Sequence, residues 1–599
     1  MTTATAGTAR TGGFLSGLWN RQLDTYPDTG PRFVYLGITV LATIMLYYEL
    51  YVGGSVSTLL LPDLHMTFTF FVYATAIGNL LGAFGSLFAG ITDRLGRTNL
   101  VVVGLIIAAV FVEWVIPAST SKWEFIAFTF IVGIIEGICL VATPALIRDF
   151  SPQVGRASAM GFWTSGPVVG SLIVSVVATN TIGANPHNSF WTHEYHICGI
   201  AGLVVAAIAL VGLKELSPGL RDQLMVTMRD RALIEAKAKG IDIEASLRHP
   251  WRQLVKPDIL ISATGISVFL VIYYTFVGFG LLYYATVFGF STKNANGLLN
   301  WSWGFDVIAV VLFGFLSDSV RVRKPFMIVG GIGSAVLTVV YLLQAGHHPG
   351  YYTLAGLAAA LAFCLGIAYV PWMASFTETV EAHNPALTAT GLAIWGWVIR
   401  VIVFVSIMIL PSVINTMNPL VTYGTTVAAA DAKYGPEVAF ATQHPAVVAT
   451  ATKIAPELQA IAAHPALFTQ LAANPTPALI AQAEAAVGPA LFAKIAADQA
   501  QIKSVLPYSS QLSALAAAAK DPSFQVLEKH GAQVAAAAKA NPGKWQDWYW
   551  VCFGCMIFFL ATVPLMRGRW SPKKARQDEE AHEAMVQAEM AKLGMTASA

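Results

Sequence analysis

The sequence predicts an all-α membrane protein with twelve transmembrane helices in two six-helix bundles and an Ala-rich helical extracytoplasmic insertion between helices 11 and 12. The first supporting observation is composition. Of 599 residues, 55% are hydrophobic and only 12% are charged, whereas soluble globular chains carry about 25% charged residues. The second is a series of long apolar runs, which a polar connection divides into two sets. The net charge of +2, with dispersed basic residues, predicts no nucleic-acid partner.

Each predicted span is justified by its length and apolar character. A membrane core about 30 Å thick requires about 20 mostly apolar residues in a helix. Twelve runs meet this requirement and are bounded by charged residues, Pro or Gly. The predicted spans 1 to 12 cover residues 33–57, 68–91, 100–117, 125–147, 157–178, 196–213, 259–288, 297–316, 325–345, 352–376, 387–410 and 548–566.

The spans and the polar connections divide the chain into predicted domains. The two tails and the long connection between the bundles are predicted to be cytoplasmic, and the insertion to be extracytoplasmic. The segments are the N-terminal tail (1–31), the N-terminal six-helix bundle (32–213), the inter-bundle linker (214–256), helices 7–11 of the C-terminal bundle (257–411), the insertion (412–545), helix 12 (546–566) and the C-terminal tail (567–599).

Basic residues in the short connections predict the orientation in the membrane. The connections after spans 2, 4, 8 and 10 carry seven Lys or Arg residues, whereas those after spans 1, 3, 5, 7 and 9 carry only Lys122 and Lys293. Four more basic residues closely follow the last span. Since cytoplasmic connections hold the excess of Lys and Arg, we expect both termini in the cytoplasm and the chain in the plasma membrane.

The insertion has a composition of its own, with 37 Ala residues and no Arg among 134 residues. Pro445, Pro465 and Pro489 recur in similar phrases, each followed by Ala. We predict short helices that begin with Pro at the first position. A disordered Ala-rich linker is the alternative.

Two loops at equivalent places in the two halves carry similar acidic and basic residues. Residues 90–97, after span 2, read Gly-Ile-Thr-Asp-Arg-Leu-Gly-Arg, and residues 314–324, after span 8, read Gly-Phe-Leu-Ser-Asp-Ser-Val-Arg-Val-Arg-Lys. Such an internal repeat is expected of a transporter built from related bundles. With these loops the chain resembles the major facilitator superfamily over everything except the insertion and the tails. The motif residues are Asp93, Arg94, Gly96, Arg97, Gly314, Asp318, Arg321 and Arg323.

The resemblance implies a cytoplasmic gate at these loops. In this family the Asp and Arg of the loop latch the cytoplasmic helix ends in the outward-open state. Asp93 is expected to face helix N-termini or Arg97 and Arg156, and to lose these contacts when the halves move. A solvated turn that only satisfies the orientation rule is the alternative.

Span 5 carries Gly166, Pro167 and Gly170, which are similar to the core of the Gly-Pro motif in the family's antiporters. The upstream Gly of that motif is displaced. We expect a site of helix packing and bending there.

Five ionisable residues lie inside predicted spans, where each costs roughly 2.5–3.5 kcal/mol on insertion scales. In this superfamily spans 1 and 4 line the central cavity, and a partly desolvated carboxylate has a raised affinity for protons. Glu49 and Glu136 are therefore predicted to carry coupling protons, with a buried structural hydrogen bond as the alternative. Residues 136–156 are similar to the organic anion:proton symporter branch, which implies the same role. The five residues are Glu49 (span 1), Glu113 (span 3), Glu136 (span 4), Asp306 (span 8) and Arg400 (span 11).

The substrate cavity is predicted from the remaining polar and aromatic residues of the spans. Arg400 is expected either to bind the substrate's anionic group or to pair with Asp306. Glu113, near the end of its span, is expected to reach the membrane interface. Aromatic residues are expected to stack on the substrate, with bundle packing as the alternative. The candidates are Tyr48, Asp306, Arg400, Trp301 and Trp395.

The predicted function is secondary active transport of a small organic solute by alternating access, with proton-coupled uptake of an organic acid or sugar-like metabolite. Proton-antiport efflux of drugs or metabolites is one alternative, and a non-transporting membrane receptor or wall-interaction protein that uses the insertion is another. The sequence has no Walker A, HExxH or nucleophile–base pattern. We expect no enzyme activity, cofactor or metal, and a monomer whose partners are the solute, protons and the lipid bilayer.

Overall fold

The computed structural model describes residues 19, 21–87, 96–150, 163–184, 186–217, 220, 254–383 and 388–592. Two short strands, β1 (Gln22–Leu23) and β2 (Glu215–Leu216), pair in parallel. The helices of the N-terminal half are α1 (Thr29–Ser55), α2 (Ser57–Asp63), α3 (Phe68–Leu87), α4 (Arg97–Val110), α5 (Lys122–Phe150), α6 (Gly166–Thr181) and α7 (Trp191–Gly212). α4 continues as a π-helix over Phe111–Val115, and a 3-10 turn, Asn188–Phe190, precedes α7.

The C-terminal half is built from long apolar helices. A break at Leu270 divides the seventh predicted span into two helices, and the 3-10 turn Gln344–Gly346 extends the ninth. The helices are α8 (Pro257–Phe269), α9 (Val271–Phe288), α10 (Thr292–Val320), α11 (Lys324–Leu343), α12 (Tyr351–His383) and α13 (Thr388–Val413).

The insertion is helical, and Pro419–Lys539 forms a compact unit of its own. The predicted Pro starts are confirmed, because Pro445, Pro465 and Pro489 each lie in the first turn of a helix. Its core contains Ile454, Phe468, Ala483, Ile495 and Val505. The helices are α14 (Met417–Gln443), α15 (Pro445–Lys453), α16 (Ala455–Ala463), α17 (Pro465–Ala473), α18 (Pro477–Val487), α19 (Pro489–Ala497), α20 (Gln499–Val505) and α21 (Ser509–Ala518), with a 3-10 turn at Leu506–Tyr508.

The last predicted span lies in a helix that is longer than expected. α22 (Pro522–Thr562) begins 24 residues before the predicted start at 546, and α23 (Pro572–Lys592) follows after the 3-10 turn Val563–Leu565. The stretch 532–540 is rich in Ala, the residue with the highest helix propensity. The helix therefore begins before residue 546, where the predicted segment of helix 12 starts.

The predicted membrane class is confirmed, because ten helices in the described ranges are long and apolar enough to cross a membrane. They coincide with ten of the twelve predicted spans. The second span, α3, follows the short helix α2 after a bend of 113°. The described part of the fifth, α6, has 16 residues.

Helix packing places the two halves against each other around a shared interior. Within the N-terminal half, α1 packs on α5, α6 and α7, and α4 packs on α5 and α7. Contacts between the halves come from α3 with α13, α6 with α10, and α1 with α9. The helix α1 therefore has one face toward its own bundle and another toward the C-terminal half.

Candidate functional site

The two faces of α1 carry different polar side chains. Tyr47 and Tyr51 are four residues apart and lie on one face of the helix. Tyr51 interacts electrostatically with Tyr273 and Tyr274 of α9, so this face is directed toward the C-terminal half. Tyr48 lies on the other face with Glu49. The structure thus separates residues that are neighbours in the sequence into two sites.

Glu49 lies in the interior of the N-terminal bundle. Its side chain is buried, and its Oε1 occupies the space into which a Cβ on Gly202 of α7 would project, beside Ala109 of α4. Neither carboxylate oxygen has a hydrogen-bond partner among the described residues. A Cβ at position 202 would therefore require this carboxylate to move.

Glu136 of α5 belongs to the same interior. It is 1% exposed, both of its oxygens are without a hydrogen-bond partner in the described part of the chain, and it interacts electrostatically with Glu49. The thiols of Cys139 and Cys198 lie close to both carboxylates. Because unpaired buried charges are costly, the chemical species that this pair is suited to bind is a proton.

A second polar site lies between the halves and is lined by tyrosines. Tyr47 of α1 interacts electrostatically with Tyr274 and with Arg400 of α13. Tyr369 of α12 interacts with Tyr47, Tyr274 and Asp306. Phenol hydroxyls both donate and accept hydrogen bonds. The site, which we call the central tyrosine site, therefore joins five helices around one guanidinium and one carboxylate.

Asp306 of α10 lies at the C-terminal side of the central tyrosine site. It is buried, and its Oδ1 would lie 2.8 Å from a Cβ on Gly366 of α12. Within the described ranges no ion pair joins it to Arg400, so the alternative of a structural Asp–Arg pair is not observed. Trp303, one turn before Asp306, packs edge-on against Tyr273 at 5.3 Å between ring centroids.

Three aromatic candidates for the substrate cavity are placed differently from the expectation. Tyr48 is buried in the N-terminal bundle near Cys198, because it lies on the face of α1 opposite to Tyr51. Trp301 is 44% exposed and packs on Phe305. Trp395 packs on Trp372 at 5.4 Å, and its buried indole N–H has no partner among the described residues.

Glu113 also differs from the expectation of an interfacial side chain. It lies in the π-helix that follows α4, is 8% exposed and faces Nδ1 of His196 on α7 at 3.2 Å. Its second oxygen, Oε2, is buried without a hydrogen-bond partner in the described ranges. Contact with α7 therefore keeps this carboxylate inside the bundle.

The described end of the first motif loop is held by long-range contacts. Arg97 pairs with Asp149 at the end of α5 at 2.7 Å. The backbone N–H groups of Arg97 and Thr98 donate to Oε2 of Glu215, at 2.7 and 3.3 Å. Gly96 has a φ of +89°, and a Cβ there would lie 2.6 Å from Oε1 of Glu215, so the turn requires glycine. The expected contacts of Asp93, Arg94 and Arg156 lie outside the described residues.

The second motif loop, after α10, repeats this arrangement. Arg323 pairs with Asp318 at 2.7 Å and with Glu378 of α12 at 3.0 Å. Arg321 has a left-handed backbone, with a φ of 58°, where α10 ends. Gly314, the first motif residue, lies one turn before Asp318 and faces Val370 of α12. In both halves a loop arginine binds an acidic residue at the end of the helix two spans later along the chain.

The Gly-Pro segment of span 5 packs tightly on α1. Pro167 lies in the first turn of α6. A Cβ on Gly170 would lie 2.7 Å from Cβ of Tyr47, and one on Gly166 would lie 3.0 Å from Thr43. The segment thus fixes the helix that carries Tyr47.

The residues that sequence reasoning missed are Tyr47, Tyr51, Tyr274, Tyr369 and His196. The spacing of Tyr47 and Tyr51 is a signal that could have found one face of α1. No comparable signal marks His196 or Tyr369, since their partners lie far away in the sequence.

Comparison with known proteins gives a consistent match. The sequence model described as Major Facilitator Superfamily matches residues 33–407. The protein named MFS transporter asaE of Aspergillus flavus is 28% identical over 193 residues, which is 31% of this chain and 43% of that protein. The efflux pump radE of Floropilus chiversii is 24% identical over 252 residues, 41% of this chain and 45% of that protein. The chain therefore spans less than half the length of these two relatives.

Two solved structures share the fold. The xylose transporter XylE from E. coli, in a partially occluded inward open conformation, aligns with a TM-score of 0.50 and 17% identity over 64% of this chain and 92% of that one. A bacterial homologue of the human lysosomal transporter Spinster, inward-facing and unoccupied, aligns with a TM-score of 0.50 and 17% identity over 91% of this chain and 100% of that one. At this identity the likeness is one of fold.

Proposed function

The chain belongs to the major facilitator superfamily, and on that premise we propose that it is a secondary transporter of a small organic solute. The proposed mechanism is alternating access, in which the two halves expose a shared site first to one side of the membrane and then to the other. Coupling is to protons, and the direction is uptake. The solute class is an organic acid or a sugar-like metabolite.

The observation that carries the proton coupling is the buried carboxylate pair. Glu49 and Glu136 lie together without hydrogen-bond partners among the described residues. A proton that binds or leaves changes the charge inside the bundle by one unit. Glu136 also interacts with Tyr47, which lines the central tyrosine site. Proton occupancy and solute binding are therefore linked through α1.

The central tyrosine site supports the proposed solute class. Its phenol hydroxyls can donate to and accept from hydroxyl groups of a solute. Arg400 supplies five N–H donors in a planar arrangement that matches a carboxylate, and Asp306 accepts hydrogen bonds from hydroxyl groups. A small solute with one acidic group and several hydroxyls can form hydrogen bonds with all of these side chains.

Efflux by proton antiport is the second candidate function. A relative of 24% identity is named an efflux pump, and the Gly-Pro segment of α6 is similar to that of the family's antiporters. Antiport uses the same carboxylate pair. In antiport the proton and the solute compete for binding while the transporter is open to one side of the membrane. The direction of solute movement under an imposed pH gradient separates the two candidates.

Proton coupling is tested with Glu49→Gln and Glu136→Gln in proteoliposomes. A solute is first selected from a panel of organic acids, sugars and drugs by the increase in unfolding temperature that a bound ligand produces. Both variants are expected to lose uphill transport but to retain exchange of labelled for unlabelled solute. Glu124→Gln is the matched control, because Glu124 is an exposed carboxylate on the same helix as Glu136. Uphill transport that is unchanged in both variants contradicts the coupling.

A receptor function is tested by removal of the insertion. The deletion of 419–539 follows the bounds of the compact unit. Solute flux that persists in the deletion variant supports the transporter. Absence of flux in the full chain under every gradient supports a receptor that uses the insertion.

The proposed location is the plasma membrane, with both termini in the cytoplasm and the insertion outside. Labelling of single introduced cysteines in intact cells with an impermeant thiol reagent tests this orientation. We expect labelling in the insertion and none in the tails. Labelling of the tails in intact cells contradicts the orientation.

A further inference from the structure

The helices α4 and α7 meet along a line of close contacts that leads from Glu113 to Glu49. A Cβ on Gly199 would lie 2.6 Å from the backbone of Glu113, and Gly202 leaves room for Glu49 beside Ala109. We call this line, formed by Ala109, Glu113, Gly199 and Gly202, the α4–α7 seam.

Glu113 and Glu49 are about one helical turn apart along the α4–α7 seam. Ala109 and Glu113 are separated by four residues, and Gly199 and Gly202 by three. At a rise of 1.5 Å per residue, these separations correspond to about 4.5–6 Å along the helix axes. A gap of this size is spanned by a carboxyl side chain with one bridging water.

His196 connects the seam with the protein surface. Its side chain is 43% exposed, whereas that of Glu113 is 11% exposed. His196 lies five residues after the start of α7 at Trp191, so it is about 7.5 Å from that end of the helix. In the proposed orientation this end is the extracytoplasmic end. Histidine is suited to proton exchange near neutral pH.

The backbone around Glu113 departs from regular α-helix. The five residues Phe111–Val115 form a π-helix, a rare element that occurs frequently at functional sites. Its wider turn directs Glu113 toward α7, where Oε1 faces His196. Oε2 is buried and has no hydrogen-bond partner in the described ranges, so one oxygen of this carboxylate is left to exchange a proton with another group.

We propose that Glu113 and His196 form a proton-entry site that connects the extracytoplasmic water with the Glu49–Glu136 pair along the α4–α7 seam. This proposal rests on the proposed function, in which Glu49 and Glu136 exchange protons. It assigns roles to two residues outside the central tyrosine site.

The transfer is balanced in protons at each step. His196 takes up a proton at Nε2 and becomes an imidazolium ion, then gives its Nδ1 proton to Oε1 of Glu113 and returns to neutral imidazole. Glu113 is then a neutral carboxyl. Glu113 then gives the proton, through a bridging water, to the carboxylate of Glu49, which becomes a neutral carboxyl, and Glu113 becomes a carboxylate again. The imidazole keeps the new proton on Nε2, and proton exchange with external water restores the Nδ1–H form before the next uptake.

Other titratable groups face this route from the helices around it. Cys198 of α7 interacts electrostatically with four carboxylates, including Glu113, and Glu194 is hydrogen-bonded to Thr181 of α6. The groups are Tyr48 and Glu49 on α1, Glu136 and Cys139 on α5, and His193, Glu194, Tyr195 and Cys198 on α7.

The test measures how fast the buried pair takes up protons from one side. Purified protein is reconstituted into vesicles, which are sorted on a C-terminal tag so that the extracytoplasmic face is outward. The external pH is lowered by rapid mixing, and the carboxyl C=O infrared band is followed. The part of the band that belongs to the pair is identified by its loss in Glu49→Gln and Glu136→Gln.

We expect Glu113→Gln and His196→Gln to reach the same final band intensity but about 100-fold more slowly, as for loss of a positioned proton-transfer group. The double variant is expected to be as slow as the single variants, because both residues belong to one route. Glu124→Gln and His187→Gln, which replace exposed residues in the same half, are expected to match the unaltered protein.

A chemical rescue distinguishes proton transfer from a structural role. His196→Ala is expected to regain much of its rate when imidazole is added to the external buffer. Rates in Glu113→Gln and His196→Gln equal to those of the controls would overturn the entry site. A band that survives both Glu49→Gln and Glu136→Gln overturns the proposed coupling pair as well, so the two failures are distinguishable.

Discussion

The contact between α4 and α7 makes Gly199→Ala a sharp test of the bundle interior. The added Cβ would lie 2.6 Å from N, Cα and Cβ of Glu113. Two of these atoms are backbone, so a rotamer change cannot relieve the overlap. The helices must separate by about 1 Å to restore an ordinary contact.

The expected loss of stability follows from this displacement. Because the overlap involves backbone atoms, the upper part of the usual overpacking cost applies, about 2–3 kcal/mol, and the higher helix propensity of Ala offsets about 1 kcal/mol. The net loss is about 1–2 kcal/mol. For a cooperative unit of the size of one six-helix half, this lowers the unfolding temperature by about 2–8 °C.

The assay is thermal unfolding in lipid nanodiscs, followed by tryptophan fluorescence at one scan rate because unfolding of such proteins is often irreversible. Gly356→Ala is the matched control, since Gly356 lies in α12 and a Cβ there meets nothing within 4 Å. Its unfolding temperature should stay the same or rise. Equal unfolding temperatures for the two variants would show that α4 and α7 do not touch at Gly199.

Three further predictions concern other parts of the chain. Gly96→Ala should destabilise the protein by about 1–3 kcal/mol, because a φ of +89° strains any residue with a Cβ; its lower unfolding temperature is the measurement. Hydrogen bonds from Tyr434, Lys433 and Ser523 hold the pKa of Asp521 well below its usual range. The ionised Asp521 therefore stabilises the insertion above about pH 4, and this stabilisation is lost as pH falls through the lowered pKa. Proteolysis of the insertion should therefore increase at acid pH, and Asp521→Asn should weaken this dependence. Arg400→Lys should weaken binding of an acidic solute about tenfold, since Lys lacks the planar guanidinium, as measured by ligand-induced stabilisation.

Each of these predictions has a contrary outcome and a control. Gly435→Ala is the control for Gly96→Ala, because a Cβ at Gly435 meets nothing within 4 Å and its φ is not positive. Equal unfolding temperatures for these two variants contradict the backbone strain at Gly96. A proteolysis profile that is the same for Asp521→Asn and the unaltered chain contradicts the role of Asp521. Unchanged affinity in Arg400→Lys indicates that the guanidinium does not contact the solute.

The spans could be predicted from the sequence, whereas the direction of side chains within them could not. The length of an apolar run is set by the membrane, and ten predicted runs appear as suitable helices. α1 is apolar nearly all round, so no hydrophobic stripe indicates which face meets the C-terminal half. The sequence therefore does not indicate that Tyr51, rather than Tyr48, is the residue that faces α9.

For the loops, too, the sequence predicts one property and leaves another unpredicted. The repeated acidic and basic residues predict that the two motif loops are related to each other. The residues that bind these loops, however, lie far away in the sequence. Asp149 binds Arg97 from another helix, and Glu215 contacts the start of α4 only because β2 brings it there. Local sequence patterns do not contain such long-range pairings.

The pairing of β1 with β2 brings the two ends of the N-terminal bundle together. The N–H of Glu215 donates to the carbonyl of Arg21 at 3.1 Å, and that of Ser217 donates to Leu23 at 2.9 Å. A segment whose ends meet in this way can be circularly permuted or cyclised without a long connector. The segment between these strands, which contains α1–α7, is therefore a natural module for building half-transporters and for exchanging halves between related chains.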